Sequence, residues 1–168
     1  MKMVLFDLGQ TLEDHGVLLP GALETLRATH AMHDVSGEGL VLALVSNFDM
    51  PASPEEIPMI QQQYYEILDR LHIRSFFTPE SQKVTLSTEV GVFKPDARIF
   101  QAVINKFDDL HLPNVVFITE NLAHVEAARK LGMTAIHFKG PGQSTGDVDQ
   151  LIDLIPLIRA FLGRNSQH

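Results

Sequence analysis

The sequence predicts an α/β protein: a doubly wound, Rossmann-like parallel sheet flanked by helices in a single domain. Three observations predict it. Short apolar runs alternate with longer amphipathic ones along the chain, the rhythm of strands crossed over by helices. The first run, Met3 to Phe6, is apolar at every position, as a strand covered on both faces must be. The length, 168 residues, suits one domain with a sizeable core.

The elements follow in order. After the first strand, Pro20 and Gly21 open a helix that places Leu23, Leu26 and Met32 inward. Leu40 to Val45 is the second strand, ending at Ser46 and Asn47, and a Pro-rich loop follows (Pro51, Pro54, Pro58). A helix from Ile57 to Leu71 carries Ile60, Tyr64, Ile67, Leu68 and Leu71 at helical spacing, with Tyr64 and Tyr65 as core and rim packing. Phe76 and Phe77 are expected to start a short third strand or to lie on its approach. Asp96 to Phe107 is a helix with Ile99, Phe100, Val103 and Ile104 inward, and Val115 to Ile118 the clearest later strand. Leu122 to Leu131 is a helix closed by Gly132, and Met133 to Phe138 supplies the last strand. Gly140, Gly142, Ser144 and Gly146 read as a flexible loop, since no strand-turn-helix unit frames them as a phosphate cradle. Asp147 is expected to cap a final helix burying Leu151, Leu154, Ile155, Ile158 and Leu162, with Pro156 set to kink it. Residues 1–163 thus form the core domain and residues 164–168 a frayed tail, with no repeat and no second-domain linker.

Composition excludes whole classes of function. A formal charge of -8 and dispersed Lys and Arg leave no surface for nucleic acid, because phosphate contacts need clustered cations. The absence of cysteine removes disulfides, thiolate metal sites and cysteine nucleophiles. The N-terminal apolar run breaks at Asp7, too early for a signal peptide, and no apolar stretch is long enough to span a bilayer. The expectation is a soluble cytoplasmic protein without a membrane partner.

Ligands in open α/β sheets bind beyond the carboxyl ends of the strands, where strand order reverses. Asp7 follows the first strand, Ser46 and Asn47 the second, and Glu120 the Val115 strand, while Lys94 precedes the helix feeding that strand. A lone Asp after a strand is ordinarily a turn or cap residue. Polar groups converging on one rim from separate strand ends point instead to a site.

These same residues carry a resemblance. Val4-Leu5-Phe6-Asp7-Leu8-Gly9-Gln10-Thr11-Leu12 resembles the first motif of the haloacid dehalogenase (HAD) superfamily, hhhhDxDGT[LV]. Ser46 after Leu42-Ala43-Leu44-Val45 is similar to the second, and Lys94-Pro95-Asp96 with Ile99-Phe100 resembles the third. Val115 to Glu120, running on to Leu131-Gly132-Met133, resembles the fourth, hhhGDxxxDxxaAxxaGm. The motifs occur in order over nearly the whole chain. The resemblance implies a HAD-like fold and a Mg²⁺-dependent phosphatase or phosphotransferase. Asp7 matches the nucleophile that forms an aspartyl phosphate. Thr11 is the retained threonine of the first motif, Ser46 binds the phosphoryl group with Asn47 beside it, and Lys94 balances the charge. Mg²⁺ would rest on Asp7, the main-chain carbonyl of Gly9, and Glu120. The implied substrate is a small phosphorylated molecule.

Three departures stand out. The second acid of the first motif, which protonates the leaving oxygen and activates water, is Gly9, and the following glycine is Gln10. The Gly-Asp of the fourth motif is Thr119-Glu120, and the acid four residues on is His124, an imidazole that suits softer metals than Mg²⁺. General acid-base catalysis is therefore impaired unless a neighbour supplies it. Glu13, Asp14 and His15 lie just beyond the motif, and His15 has the intrinsic pKa for the task, though a solvated turn is the plainer reading. His30, His33, His72, His111 and His137 show no metal-ligand spacing. The intervals Glu13 to Leu40 and Phe48 to Phe93 are too short for a cap domain, so the site faces solvent, a larger substrate, or a neighbouring subunit of a homo-oligomer. Two other functions compete: a catalytically impaired relative that binds a partner or phosphorylated ligand, and a metal-free dehalogenase in which Asp7 attacks carbon. The latter needs an arginine near the site, and Arg27 is the one early candidate. Asp7→Asn is expected to leave the fold intact or firmer, since an anion among like charges rarely stabilises an empty site.

Overall fold

The computed structural model describes residues 1–163; the expected tail, residues 164–168, lies outside the described residues. In chain order the elements are β1 (Met3–Phe6), the hairpin strands β2 (Glu13–Asp14) and β3 (Val17–Leu18), α1 (Ala22–His30), β4 (Val41–Ser46) and α2 (Ile57–Arg70). The one-turn helix α3 (Glu80–Lys83), β5 (Val84–Leu86), α4 (Ser87–Val90) and α5 (Ala97–Ile104) follow. The chain then runs through β6 (Val115–Thr119), α6 (Leu122–Lys130), β7 (Thr134–His137) and α7 (Leu154–Leu162).

Five strands pair in the order β5-β4-β1-β6-β7, and every pairing is parallel. Successive side chains of a strand face opposite ways. Val4 and Phe6 of β1 therefore join Leu26 of α1, Tyr64 and Leu68 of α2 and Leu154 and Ile158 of α7 on one face. Met3 and Leu5 join Ile99, Phe100 and Val103 of α5 and Val125 and Ala128 of α6 on the other. Each face buries about 25 cal/mol of stabilisation per Å² of apolar surface. Strand order reverses at β1, because the chain moves from it first to β4 and later to β6 on its far side. That puts Asp7, Ser46 and Glu120 at the carboxyl ends of three adjacent strands. Among the described residues no helix is long and apolar enough to cross a membrane.

Four expectations need correction. Phe76 and Phe77 lie in a 3-10 turn, Arg74–Phe77, and Phe77 fills the core from there. The edge strand is β5, three residues long with Thr85 buried at its centre. Asp147 caps no helix; its carboxylate accepts hydrogen bonds from the Arg129 guanidinium and the His137 amide, and helical structure begins at Leu151. Pro156 occupies the first turn of α7, where an amide has no intrahelical partner, so the chain has no reason to kink.

The glycine loop after β7 is fastened rather than loose. A Cβ on Gly140 would lie 2.8 Å from Glu120 Cβ and 2.9 Å from the Gln10 carbonyl oxygen. Gln143 and His137 side chains each reach the Glu120 carbonyl at 2.9 Å. Gly140→Ala is therefore expected to cost about 1–3 kcal/mol through overpacking. Gly39→Ala, where a Cβ meets nothing within 4 Å, should stay within about 0.5 kcal/mol; urea unfolding of the two variants checks the pair.

Candidate active site

The strand ends enclose an open pocket of about 340 Å³, lined among others by Asp7, Gly9, Glu13, Ser46, Lys94 and His124. Asp7 leaves β1 with its amide still donating to Ile118 of β6 at 3.0 Å, which fixes its direction. One carboxylate oxygen, Oδ1, accepts from Leu8 N at 3.0 Å and meets Lys94 Nζ at 2.7 Å. The other, Oδ2, accepts from the Thr119 hydroxyl at 3.0 Å. Lys94 is only 4% exposed, and its ammonium also donates to the Val45 carbonyl at 2.8 Å. Burial pulls its pKa below the ordinary lysine value, against the opposing pull of Asp7 and, more weakly, Glu120.

Ser46 and Asn47 are brought to the rim but do different things. Ser46 Oγ lies 2.6 Å from the Tyr64 hydroxyl, and burial drives that phenol far above its ordinary pKa. Tyr64 is thus a site residue as well as core, a role that its helical spacing did not signal. The Asn47 side chain accepts from Lys94 N at 2.7 Å and donates to Lys94 O at 3.2 Å, so it clamps the lysine's backbone while also lining the pocket.

Glu120 is held on every side. Its Oε2 accepts from Thr11 Oγ1 at 2.9 Å and lies 3.2 Å from Thr119 Oγ1, and its amide donates back to Thr11. Thr11 is fully buried and orients Glu120 from beneath; it is not among the pocket's lining residues. The single Thr119 proton can serve Asp7 or Glu120, so this hydroxyl links the two carboxylates. His124, in the first turn of α6, has Nδ1 buried without a hydrogen-bond partner, 3.9 Å from Asp7 Oδ2. Burial first and the Lys94 charge second hold it below the ordinary histidine value, while Asp7 and the Lys94 backbone pull the other way.

His15 is not brought into the pocket. It sits at the tip of the β2–β3 hairpin with a φ of 50° and its side chain 93% exposed, 3.7 Å from Asp14. Glu13, its neighbour two residues back, does line the pocket. The described residues contain no cluster of three or more His, Cys, Asp or Glu side chains able to grip a metal. A cation would rest on Asp7, Glu120 and main-chain oxygen such as that of Gly9.

No family's sequence profile matches the chain, and no curated protein matches it. Solved structures do match. A HAD phosphatase from Thermococcus onnurineus aligns with a TM-score of 0.62 and 14% identity, covering 94% of this chain and 98% of that one. A protein from Bacillus subtilis named as a HAD-hydrolase, solved with magnesium bound, gives 0.64 and 14% identity over 84% of this chain. A dehalogenase gives 0.59 and 20% identity over 83% of this chain. This chain spans 56% of each of the last two proteins, about half their length. The fold is that of the HAD-like hydrolases, and phosphatase and dehalogenase share it.

The buried ion pair reverses the expectation for Asp7→Asn. Removing Asp7 strands the Lys94 ammonium out of water, at a cost of about 3–5 kcal/mol near neutral pH. The folded state already releases the Lys94 proton at lower pH than the unfolded chain. Between those two values the unfolded chain binds more protons, so stability rises with pH. Without Asp7 the folded value falls further and the window widens downward. The deficit of Asp7→Asn should narrow as pH rises toward the wild-type folded value of Lys94, which lies below the ordinary lysine value, as read by thermal unfolding; a constant deficit would place the loss somewhere other than Lys94.

Proposed function

We propose that this chain is a hydrolase of phosphorylated small molecules that works through an aspartyl phosphate on Asp7. The buried contact of 2.7 Å between Lys94 and Asp7 carries the reading. A carboxylate can approach an anionic phosphate only where positive charge offsets the repulsion, and here an ammonium touches the nucleophile from inside. The Asp7 carboxylate attacks phosphorus as the bond to the leaving oxygen breaks, and the phosphoryl group passes to Asp7. Water then attacks the same phosphorus, and the bond to the Asp7 oxygen breaks to restore the carboxylate. Tyr64, protonated at any working pH, donates to Ser46 Oγ and leaves the Ser46 proton for a phosphoryl oxygen.

Magnesium fits the charge that remains. Among the described lining residues, Asp7, Glu13 and Glu120 face Lys94 as the single Lys or Arg, with His124 held neutral. Mg²⁺ commonly takes one or two carboxylates plus substrate phosphate and keeps several waters. Asp7, Glu120 and the Gly9 carbonyl would hold it, and when bound it neutralises charge on the phosphoryl oxygens. The lone pair of His124 also suits Mn²⁺. Carbon-halogen cleavage is disfavoured, because the described lining residues include no arginine and Arg27 is not among them. A phosphate-binding protein without turnover is the second reading, favoured by Gly9 and His124 standing where acids are expected.

Acetyl phosphate is expected to leave a hydroxylamine-labile phosphoryl group on the peptide carrying Asp7, seen by mass spectrometry after rapid quenching. Asp7→Asn, checked for folding, should give no adduct, and Lys94→Met should slow its formation on the order of 10²–10³-fold. Phosphate binding with no adduct under Mg²⁺, Mn²⁺ or neither would favour the second reading. In calorimetry, Mg²⁺ and Mn²⁺ are expected to bind weakly to the wild type and more weakly still to Glu120→Ala; equal affinity for the two proteins would put the ion elsewhere.

A further inference from the structure

Nothing in the roles above moves the proton that an alkoxide leaving group needs, and residue 9 has no side chain to do it. We propose that Glu13, carried on the β2–β3 hairpin, is the general acid and base of this site; the inference rests on the phosphatase reading.

The space above position 9 is occupied by one group. A Cβ built on Gly9 would meet Glu13 Oε1 at 3.7 Å and no other atom within 4 Å. The carboxylate that a side chain at position 9 would place in the pocket is thus approached from four residues further along. The backbone enforces this return. Glu13 N donates to Leu8 O at 3.2 Å and Gln10 N donates to Glu13 O at 2.6 Å, so Gly9 and Glu13 pair across a tight loop. Gln10 turns that loop with a φ of 57°, at the position where the resembling motif has glycine.

The side chain is also aimed. Glu13 Oε2 accepts from Gly16 N at 2.8 Å across the hairpin turn, which leaves Oε1 as the oxygen nearest Gly9. Glu13 is half-buried and lines the same pocket as Asp7 and Lys94. The other groups are placed differently. Glu120 is tied to Thr11 and Thr119, His124 lies 3.9 Å from Asp7 Oδ2 and is not among the atoms within 4 Å of the Gly9 Cβ position, and His15 points to solvent.

The step balances without another reactant. As Asp7 attacks, the protonated Glu13 carboxyl gives its proton to the departing oxygen, and alcohol leaves with Glu13 as carboxylate. Water then attacks the aspartyl phosphate, Glu13 takes the proton that water loses, and phosphate and the Asp7 carboxylate are released. Both proteins of the catalytic cycle, before and after, therefore carry the same protons.

The test compares an alkyl phosphate monoester with acetyl phosphate, whose leaving group needs no proton. Glu13→Gln keeps the hydrogen bond to Gly16 but cannot carry the proton. It is expected to lower alkyl ester kcat/KM on the order of 10²–10⁴-fold, to spare phosphorylation of Asp7 by acetyl phosphate, and to accumulate phosphorylated Asp7. Adding Gly9→Asp to Glu13→Gln should restore part of the alkyl turnover, because φ at Gly9 is not left-handed and its Cβ position is open. Equal loss on both substrates, or no loss on either, overturns the role of Glu13 while leaving Asp7 in place. A wild type that never phosphorylates Asp7 overturns the phosphatase reading itself. If Glu13→Gln does not fold, the wild type still decides: a shallow dependence of rate on leaving-group pKa supports an acid in the site, and a steep one refutes it.

Discussion

An ammonium removed from water must be neutralised where it stands, and much of this architecture converges on doing so for Lys94. Its nitrogen touches Asp7 beyond β1 and the Val45 carbonyl of β4, and lies 5.8 Å from the centre of the Phe117 ring of β6. Three adjacent strands must therefore be in register before the charge is satisfied. Asn47 adds the fourth restraint by holding the lysine's own amide and carbonyl. A buried pair of this kind contributes little net stability, because desolvation consumes most of the attraction, yet breaking it is costly. Its effect is to specify one arrangement, and that arrangement sets the direction of the Asp7 carboxylate.

The second carboxylate is positioned by hydroxyls and carbonyl contacts instead of charge. Thr11 bonds both the side chain and the amide of Glu120, while His137 and Gln143 take its carbonyl from behind. Gly140 lets the loop after β7 close against it, since any side chain there would meet Glu120 Cβ. Thr119 couples this assembly to Asp7 with a proton that can point to either side. The glutamate's extra methylene is thereby absorbed: its carboxylate is pinned by neighbours on β6 and the β1 loop. The site is built as two braced carboxylates with one shared hydroxyl between them.

The central strands were legible because they are apolar throughout, and the sheet's carboxyl edge then followed from topology. The edge strand β5 was not, because three residues centred on Thr85 carry no periodicity, whereas the apolar pair Phe76-Phe77 imitates a strand start. Asp7, Ser46, Lys94 and Glu120 were legible as strand-end groups that the fold brings to one pocket. Asn47 was assigned by adjacency to Ser46 and does line the same pocket, but its two hydrogen bonds to the Lys94 backbone carry no signal in the sequence. His15 was singled out by intrinsic pKa beside the plainer reading of a solvated turn, and its exposed side chain at the hairpin tip agrees with that plainer reading while Glu13 lines the pocket. Tyr64 was hidden because it reaches the site by tertiary folding that leaves no local pattern, whereas Glu13, named beside His15, is returned to Gly9 by the local loop.

The hairpin has a consequence for how the site would work. An acid at residue 9 would ride on the end of the central strand, as rigid as the sheet. Glu13 rides instead on a hairpin with two pairs, Glu13 with Leu18 and Asp14 with Val17, and an isolated hairpin is marginal in water. What steadies it is local: Leu12 is fully buried directly before Glu13, and Leu19 N donates to Leu12 O at 2.9 Å. Val17, at the outer end, is exposed beside the turn. Asp7 and Glu13 therefore stand on supports of unequal stiffness, one locked by the Lys94 pair and one by a single buried leucine and a turn. On the proposed mechanism, a substrate's contact with the hairpin would change proton transfer before it changed attack at phosphorus, so selectivity among leaving groups would be set at the hairpin and phosphoryl recognition at the sheet.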